Sequence, residues 1–170
     1  MGSESHASGL GQPWWVHDPG TPYEVSRLKI MEFAQAIGDP NAVYRDPDAA
    51  RQAGYPDVIA PPTFAVVVAL PASIAAVRET VPETGHPVIV HVEQRFEYAR
   101  PIRAGDVLHA ESAVIGIREL RGAAMVTART EIRAADGEHI CSAWAILAKL
   151  PSAAANEPQP PRPRAKGVAE

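Results

Sequence analysis

The segment from Thr63 to Thr80, TFAVVVALPASIAAVRET, is apolar nearly all the way round. A helix of that composition has no face to give to water, so it has to be enclosed by other elements. Past this helix the period of the pattern changes from 3.6 to two. In Val88 to Tyr98, the residues Val88, Val90, Val92, Phe96 and Tyr98 fall on one side, while His91, Glu93, Arg95 and Glu97 fall on the other. Val107 to Ile117 reads as a second strand with looser alternation. A third sets Ala124, Val126, Ala128 and Ile132 against Thr127, Arg129, Glu131 and Arg133. Asp136-Gly137 predicts a tight hairpin into a last strand, His139 to Lys149. One enclosed helix with such strands after it predicts an α+β domain with an antiparallel sheet. Pro71 should kink or split the helix, because proline lacks the N–H and crowds the preceding turn.

Upstream, a helix is expected from Ser26, with Ile30, Phe33, Ala34 and Ile37 on one face. Gly38 stands where a left-handed cap would end it. A second, short helix has Asp46 as its cap, Pro47 in its first turn and Gly54 after its end. The loop between the two helices presents Asp39, Asn41 and Tyr44 from fixed ends, a suitable place for chemistry.

A chain of 170 residues fits one domain with tails. Residues 1–12 and 151–170 are too polar or too rich in proline to offset their ordering entropy, so both are expected to be disordered around a domain at 13–150. Trp14-Trp15 need cover, over the sheet or at an interface. The net charge of −4 disfavours nucleic acid as a partner. No apolar run is long enough to span a membrane and the N-terminus lacks a signal core, so the expected location is the cytoplasm. The single cysteine, Cys141, reads as a buried hydrophobe. His6, His17, His86, His91, His109 and His139 are scattered without metal-ligand spacing, and His91 reads as a surface or interface residue. Neither metal nor cofactor is expected.

The run GDPNAVY from Gly38 resembles the G-D-x-N-P-hydrophobic-His signature of the MaoC-like (R)-specific hydratases and dehydratases. Gly38, Asp39 and Asn41 match, Ala42 replaces the proline, and Tyr44 stands where the catalytic histidine belongs. AGYPDVIAPPTF and EQRFEYARPIRAGDVL extend the likeness over most of the chain from Tyr23 to about Leu150. It looks most like the N-terminal MaoC dehydratase branch, which includes accessory subunits of heterodimeric 3-hydroxyacyl-ACP dehydratases of fatty-acid synthesis. That resemblance implies a single hotdog fold, an antiparallel sheet wrapped around the central apolar helix.

It also implies a degenerate dyad, Asp39 with Tyr44. Substrate would be held by Asn41, Tyr55, Pro62, Thr63 and Phe64, and a carrier protein or coenzyme A by Arg95, Arg100 and Arg103. Where catalytic relatives usually carry His-Gly at the head of the central helix, this chain has Pro61-Pro62, which offer no N–H to a developing oxyanion. The residues themselves leave other roles open. Asp39 and Asn41 can simply hold the turn, Tyr44 can pack as a core tyrosine, and the arginines can form a solvated face.

Three functions compete. One is the accessory half of a (3R)-hydroxyacyl-ACP or -CoA dehydratase, paired with a dyad-bearing subunit. A second is a self-sufficient homodimeric hydratase, or a cyclase on a polyketide-like enoyl thioester, using Asp39 and Tyr44. The third is a non-enzymatic acyl-thioester binder. A thioesterase fits less well, since residues 64–77 carry no acid.

Overall fold

The computed structural model describes residues 20–81 and 88–150. Both expected tails, Trp14-Trp15, the PPRPR run, His6, His17 and His86 lie outside the described residues. The elements are β1 (Tyr23–Glu24), α1 (Arg27–Ala36), a 3₁₀ turn (Ala42–Tyr44), α2 (Pro47–Gln52), α3 (Val66–Thr80), β2 (Val88–Tyr98), β3 (Val107–Leu120), β4 (Ala123–Ala134) and β5 (His139–Leu150). The strands form one five-stranded antiparallel sheet in the order β1-β3-β4-β5-β2. It curls around α3, which packs on β3, β4 and β5. This is the hotdog arrangement.

The Ser26 hydroxyl caps α1 by accepting the Lys29 N–H at 3.1 Å. Ile30 and Ala34 are buried, and Phe33 meets Phe64 edge-on, with ring centroids 5.2 Å apart. Ile37 departs from the expected face. It is the C-cap, turned off the last helical turn, and is 50% exposed. Gly38 follows with φ +72°, and the bonds Asp39 N–H to Ala34 carbonyl and Gly38 N–H to Gln35 carbonyl complete a Schellman cap. α2 starts as expected, with the Asp46 carboxylate accepting the Asp48 N–H at 2.8 Å and Pro47 in its first turn.

α3 begins at Val66, later than expected. The stretch before it makes i to i+3 bonds, Phe64 N–H to Pro61 carbonyl and Val66 N–H to Thr63 carbonyl, which is a tighter turn than an α-helix. Pro71 lies inside the continuous helix and does not split it. Its ring removes one helical bond, and the buried Val68, Ala69, Ala72 and Ser73 on either side anchor the turns around it. No residue from Phe64 to Val77 is exposed, as an enclosed helix requires, although Val67, Leu70 and Ile74 are only half-buried.

Two strand features depart from the sequence pattern. β2 carries a bulge between His91 and Glu93. An extra residue there reverses which side the later side chains face. Phe96 and Tyr98 therefore pack on the core, but so does Ile89, while Val88, Val90 and Val92 are 57%, 42% and 54% exposed. β3 runs on to Leu120 and turns into β4 through Arg121-Gly122, with φ +51° and +80°, the geometry of a two-residue hairpin. The Asp136-Gly137 hairpin is present, with Gly137 at φ +88°. In the core, Ser73 of α3 bonds Thr130 of β4, which donates to Ser112 of β3, each at 3.0 Å. Among the described residues no buried side-chain nitrogen or oxygen lacks a partner.

Candidate active site

The loop after α1 is held by its own polar side chains. The Asp39 carboxylate accepts the Asn41 N–H at 3.1 Å, and Asn41 Oδ1 accepts the Val43 N–H at 3.2 Å, which starts the 3₁₀ turn. Arg45 closes the loop by donating to the Asp39 carbonyl at 2.8 Å. That turn drives Tyr44 inward until it is 7% exposed. The segment Val58 to Ala60 is stitched on both sides. Ile59 N–H donates to the Val43 carbonyl, and Ala60 N–H to the Ile102 carbonyl at 2.7 Å.

Between these pieces lies a cleft of about 560 Å³. Its polar lining is Asn41, Tyr44, Tyr55, Tyr98 and Arg100, over an apolar floor that includes Val43, Ile59 and Ile102, with Pro62 at its wall. Asn41, Tyr44, Tyr55 and Pro62 are thus brought together. Asp39, Thr63 and Phe64 do not line the cleft; Thr63 is exposed, and Phe64 sits in the core against Tyr23 and Phe33. Among the described residues no carboxylate and no histidine lines it, and no cluster of ligating side chains could hold a metal ion.

The three arginines separate. Arg95 is on the outer face of the sheet, paired with Glu97 and stacked 5.0 Å from the Trp144 ring. Arg100 is committed: it binds both Asp106 oxygens, at 2.8 and 3.0 Å, and Glu138 at 2.9 Å. Arg103 donates its N–H to Asp106 at 2.9 Å and keeps a half-exposed guanidinium. The expected cluster is therefore a knot around the buried Asp106, which Arg95 does not join. The acids at its centre were not read from sequence, since Glu138 is distant in the chain and only the fold brings it in.

Tyr98 was read only as one of the residues on the apolar side of its strand. Its hydroxyl donates to the Pro62 carbonyl at 2.7 Å, fastening the end of β2 to the head of α3. Burial, then the neighbouring Cys141, raise its pKa well above the ordinary phenol value. Burial first, then Asp39 and Tyr55, also raise that of Tyr44. Cys141 is buried as expected, and burial pushes its thiol up to about 11. At neutral pH both Tyr44 and Tyr98 are protonated phenols, able to donate hydrogen bonds but not to remove a proton. The head of α3 offers fewer donors than a regular helix start. Pro61 and Pro62 have no N–H, the Phe64 N–H is spent on Pro61, and the Tyr98 hydroxyl sits over the turn.

An antiparallel sheet curled on an apolar helix, with a G-D-x-N loop at its cleft, defines a hotdog protein of the MaoC-like dehydratase class. The model of the FAS1-like dehydratase domain region matches residues 14–143, and the chain belongs to that family. A UPF0336 protein of Thermobifida fusca is 44% identical over 126 residues, covering 74% of this chain and 83% of that one. Among solved structures, the HadBC (3R-hydroxyacyl-ACP dehydratase) complex of Mycobacterium tuberculosis matches with a TM-score of 0.68 at 29% identity, covering 76% of this chain and 90% of that one. A MaoC-like dehydratase matches with a TM-score of 0.66 at 28% identity, over 78% of this chain and 40% of that one.

Proposed function

We propose that this chain is the accessory, substrate-shaping half of a (3R)-hydroxyacyl-thioester dehydratase. The observation that carries the reading is the cleft itself, which keeps the family's frame but presents phenols and an amide where proton transfer needs a carboxylate and a histidine. Dehydration moves one proton from the α-carbon and returns one to the departing hydroxyl, so a group titrating near neutrality has to face the substrate. Here the Asp39 carboxylate holds the Asn41 N–H, and Tyr44 is a phenol of raised pKa. A partner with an intact Asp and His would do the chemistry. This chain would add the half-buried face of α3, with Val67, Leu70 and Ile74, as a wall for the acyl chain.

The HadBC complex, a 3R-hydroxyacyl-ACP dehydratase, gives this reading support from a relative. Arg95 and Arg103 both keep exposed side chains, and Arg103, next in the chain to the cleft residue Ile102, is the one placed to meet a carrier phosphate. The test is hydration of a trans-2-enoyl thioester by the chain alone and with a dyad-bearing MaoC-like subunit. We expect turnover only in the pair. A second reading, a self-sufficient hydratase using Asp39 and Tyr44, draws on one fact: Asp39 lies close enough to help raise the Tyr44 pKa. Turnover by the chain alone that vanishes in Asp39→Asn would establish it.

A further inference from the structure

We propose that residues 14–17, Trp14-Trp15-Val16-His17, add a short strand to the open edge of β3 and lay indole over Ile115 and Ile117, closing that side of the sheet to other chains. The proposal stands apart from the reaction and from the cleft.

Two parts of the chain need cover. β1 pairs with Val107 and Leu108 alone, so among the described residues β3 from His109 to Leu120 has a backbone partner only in β4. Such a row of unpaired N–H and C=O groups is a template for any passing strand. It carries apolar side chains too, with Ile115 56% and Ile117 54% exposed. Ile117 stands opposite the fully buried Val126, so it lies on the core side of the sheet, where the core runs out to the edge. The other part is the sequence before β1. Trp14, Trp15 and Val16 are strand-forming residues, bounded by Pro13 on one side and Asp18-Pro19-Gly20 on the other. The family match starts at residue 14, which counts them with the domain.

Chain direction and reach bring the two parts together. Tyr23 stands opposite Leu108 in an antiparallel ladder, so each step back from Tyr23 meets one step forward from Leu108. Residues 14–17 then come level with 114–117. The turn at Gly20 and the prolines at 19 and 22 interrupt this ladder, which an edge strand tolerates. Ile115 lies roughly 23 Å along β3 from Leu108, and the eight residues from Tyr23 back to Trp15 span up to roughly 26 Å when extended. The exposed valines of β2 are four strand spacings from β1, roughly 19 Å across the sheet as well as along it, and fall outside that reach. Leu28 and Met31 on α1 are exposed and nearer in the chain, but a helix face has no unpaired backbone to offer a strand. With β3 covered, β2 is the open edge through which the sheet meets another chain.

The test uses the full chain. Hydrogen exchange read by mass spectrometry should show residues 109–120 exchanging about tenfold or more slowly in wild type than in Trp14→Ser/Trp15→Ser, with β4 and β5 unchanged as the measure of fold. Fluorescence gives an independent readout. In Trp144→Phe, Trp14 and Trp15 are the only ones left of the three tryptophans, and acrylamide should quench them much less than in urea at every protein concentration. Ile117→Lys should expose them and Leu28→Lys should not. Equal exchange of 109–120 in wild type and the double variant overturns the proposal, as does quenching as strong as in urea. Exposure by Leu28→Lys instead of Ile117→Lys would place the tryptophans on α1, and protection that grows with concentration would place them on a second copy. Either result also overturns it.

Discussion

At the scale of single residues, Asp106 and Tyr44 illustrate opposite uses of burial. Asp106 is a buried carboxylate satisfied by Arg100 and the Arg103 N–H. Removing it leaves a guanidinium that is only 17% exposed with Glu138 as its one remaining carboxylate, and takes the acceptor from the Arg103 N–H, so Asp106→Ala should cost about 3 kcal/mol in urea unfolding. Tyr44 is buried with its hydroxyl unbonded among the described residues, so Tyr44→Phe should leave stability within about 0.5 kcal/mol. The Cys141 thiol gives a pH signature. Its folded pKa is raised from 9.0 to about 11, so the neutral thiol adds stability that is complete below the unfolded value and lost as pH rises through the folded one. Urea midpoints at about pH 8 and about pH 10 should therefore fall more steeply in wild type than in Cys141→Ala. The sequence made Tyr44 conspicuous because it breaks a motif. It hid the Arg100 knot, because a charge run shows its signs but not the carboxylate 38 residues away that answers it.

At the scale of elements, periodicity carried most of the fold. Helix α1 and all four long strands lie where the 3.6- and two-residue patterns placed them, α2 lies where its cap and proline did, and α3 starts late, at Val66. Punctuation was legible too: Gly38 sits at φ +72° with no atom near its missing Cβ. Gly38→Ala should therefore cost about 1–2 kcal/mol from backbone strain alone, measured by chemical denaturation. The β2 bulge was not legible, since one inserted residue preserves the composition while exchanging the faces. Its consequence is testable on neighbours. Ile89→Ala should destabilise by over about 1 kcal/mol, because Ile89 packs on the core, while Val90→Ala should stay near about 0.5 kcal/mol or less. Equal losses would mean the bulge is absent. The short β1 escaped notice because two residues carry no period.

At the scale of the whole molecule, a curled sheet and the helix it encloses frame a cleft whose polar lining is phenols, an amide and a guanidinium. The sheet's edge strand β2 leaves Val88, Val90 and Val92 exposed, while Val67, Leu70 and Ile74 of α3 are half-buried. Among the described residues no helix is long and apolar enough to cross a membrane, so that surface has no bilayer-spanning explanation in a helix. The family was readable from AGYPDVIAPPTF and EQRFEYARPIRAGDVL, both of which turn out to frame the cleft. What the sequence did not disclose is how the head of α3 is tied, with the Phe64 N–H turned back to the Pro61 carbonyl and the Tyr98 hydroxyl donating to the Pro62 carbonyl. The most direct measurement is steady-state hydration of a trans-2-enoyl thioester by the purified chain, by a dyad-bearing MaoC-like subunit, and by the two together. The account predicts no turnover by this chain alone and a rate for the pair well above that of the partner alone. Turnover by the chain alone, abolished by Asp39→Asn, would contradict it.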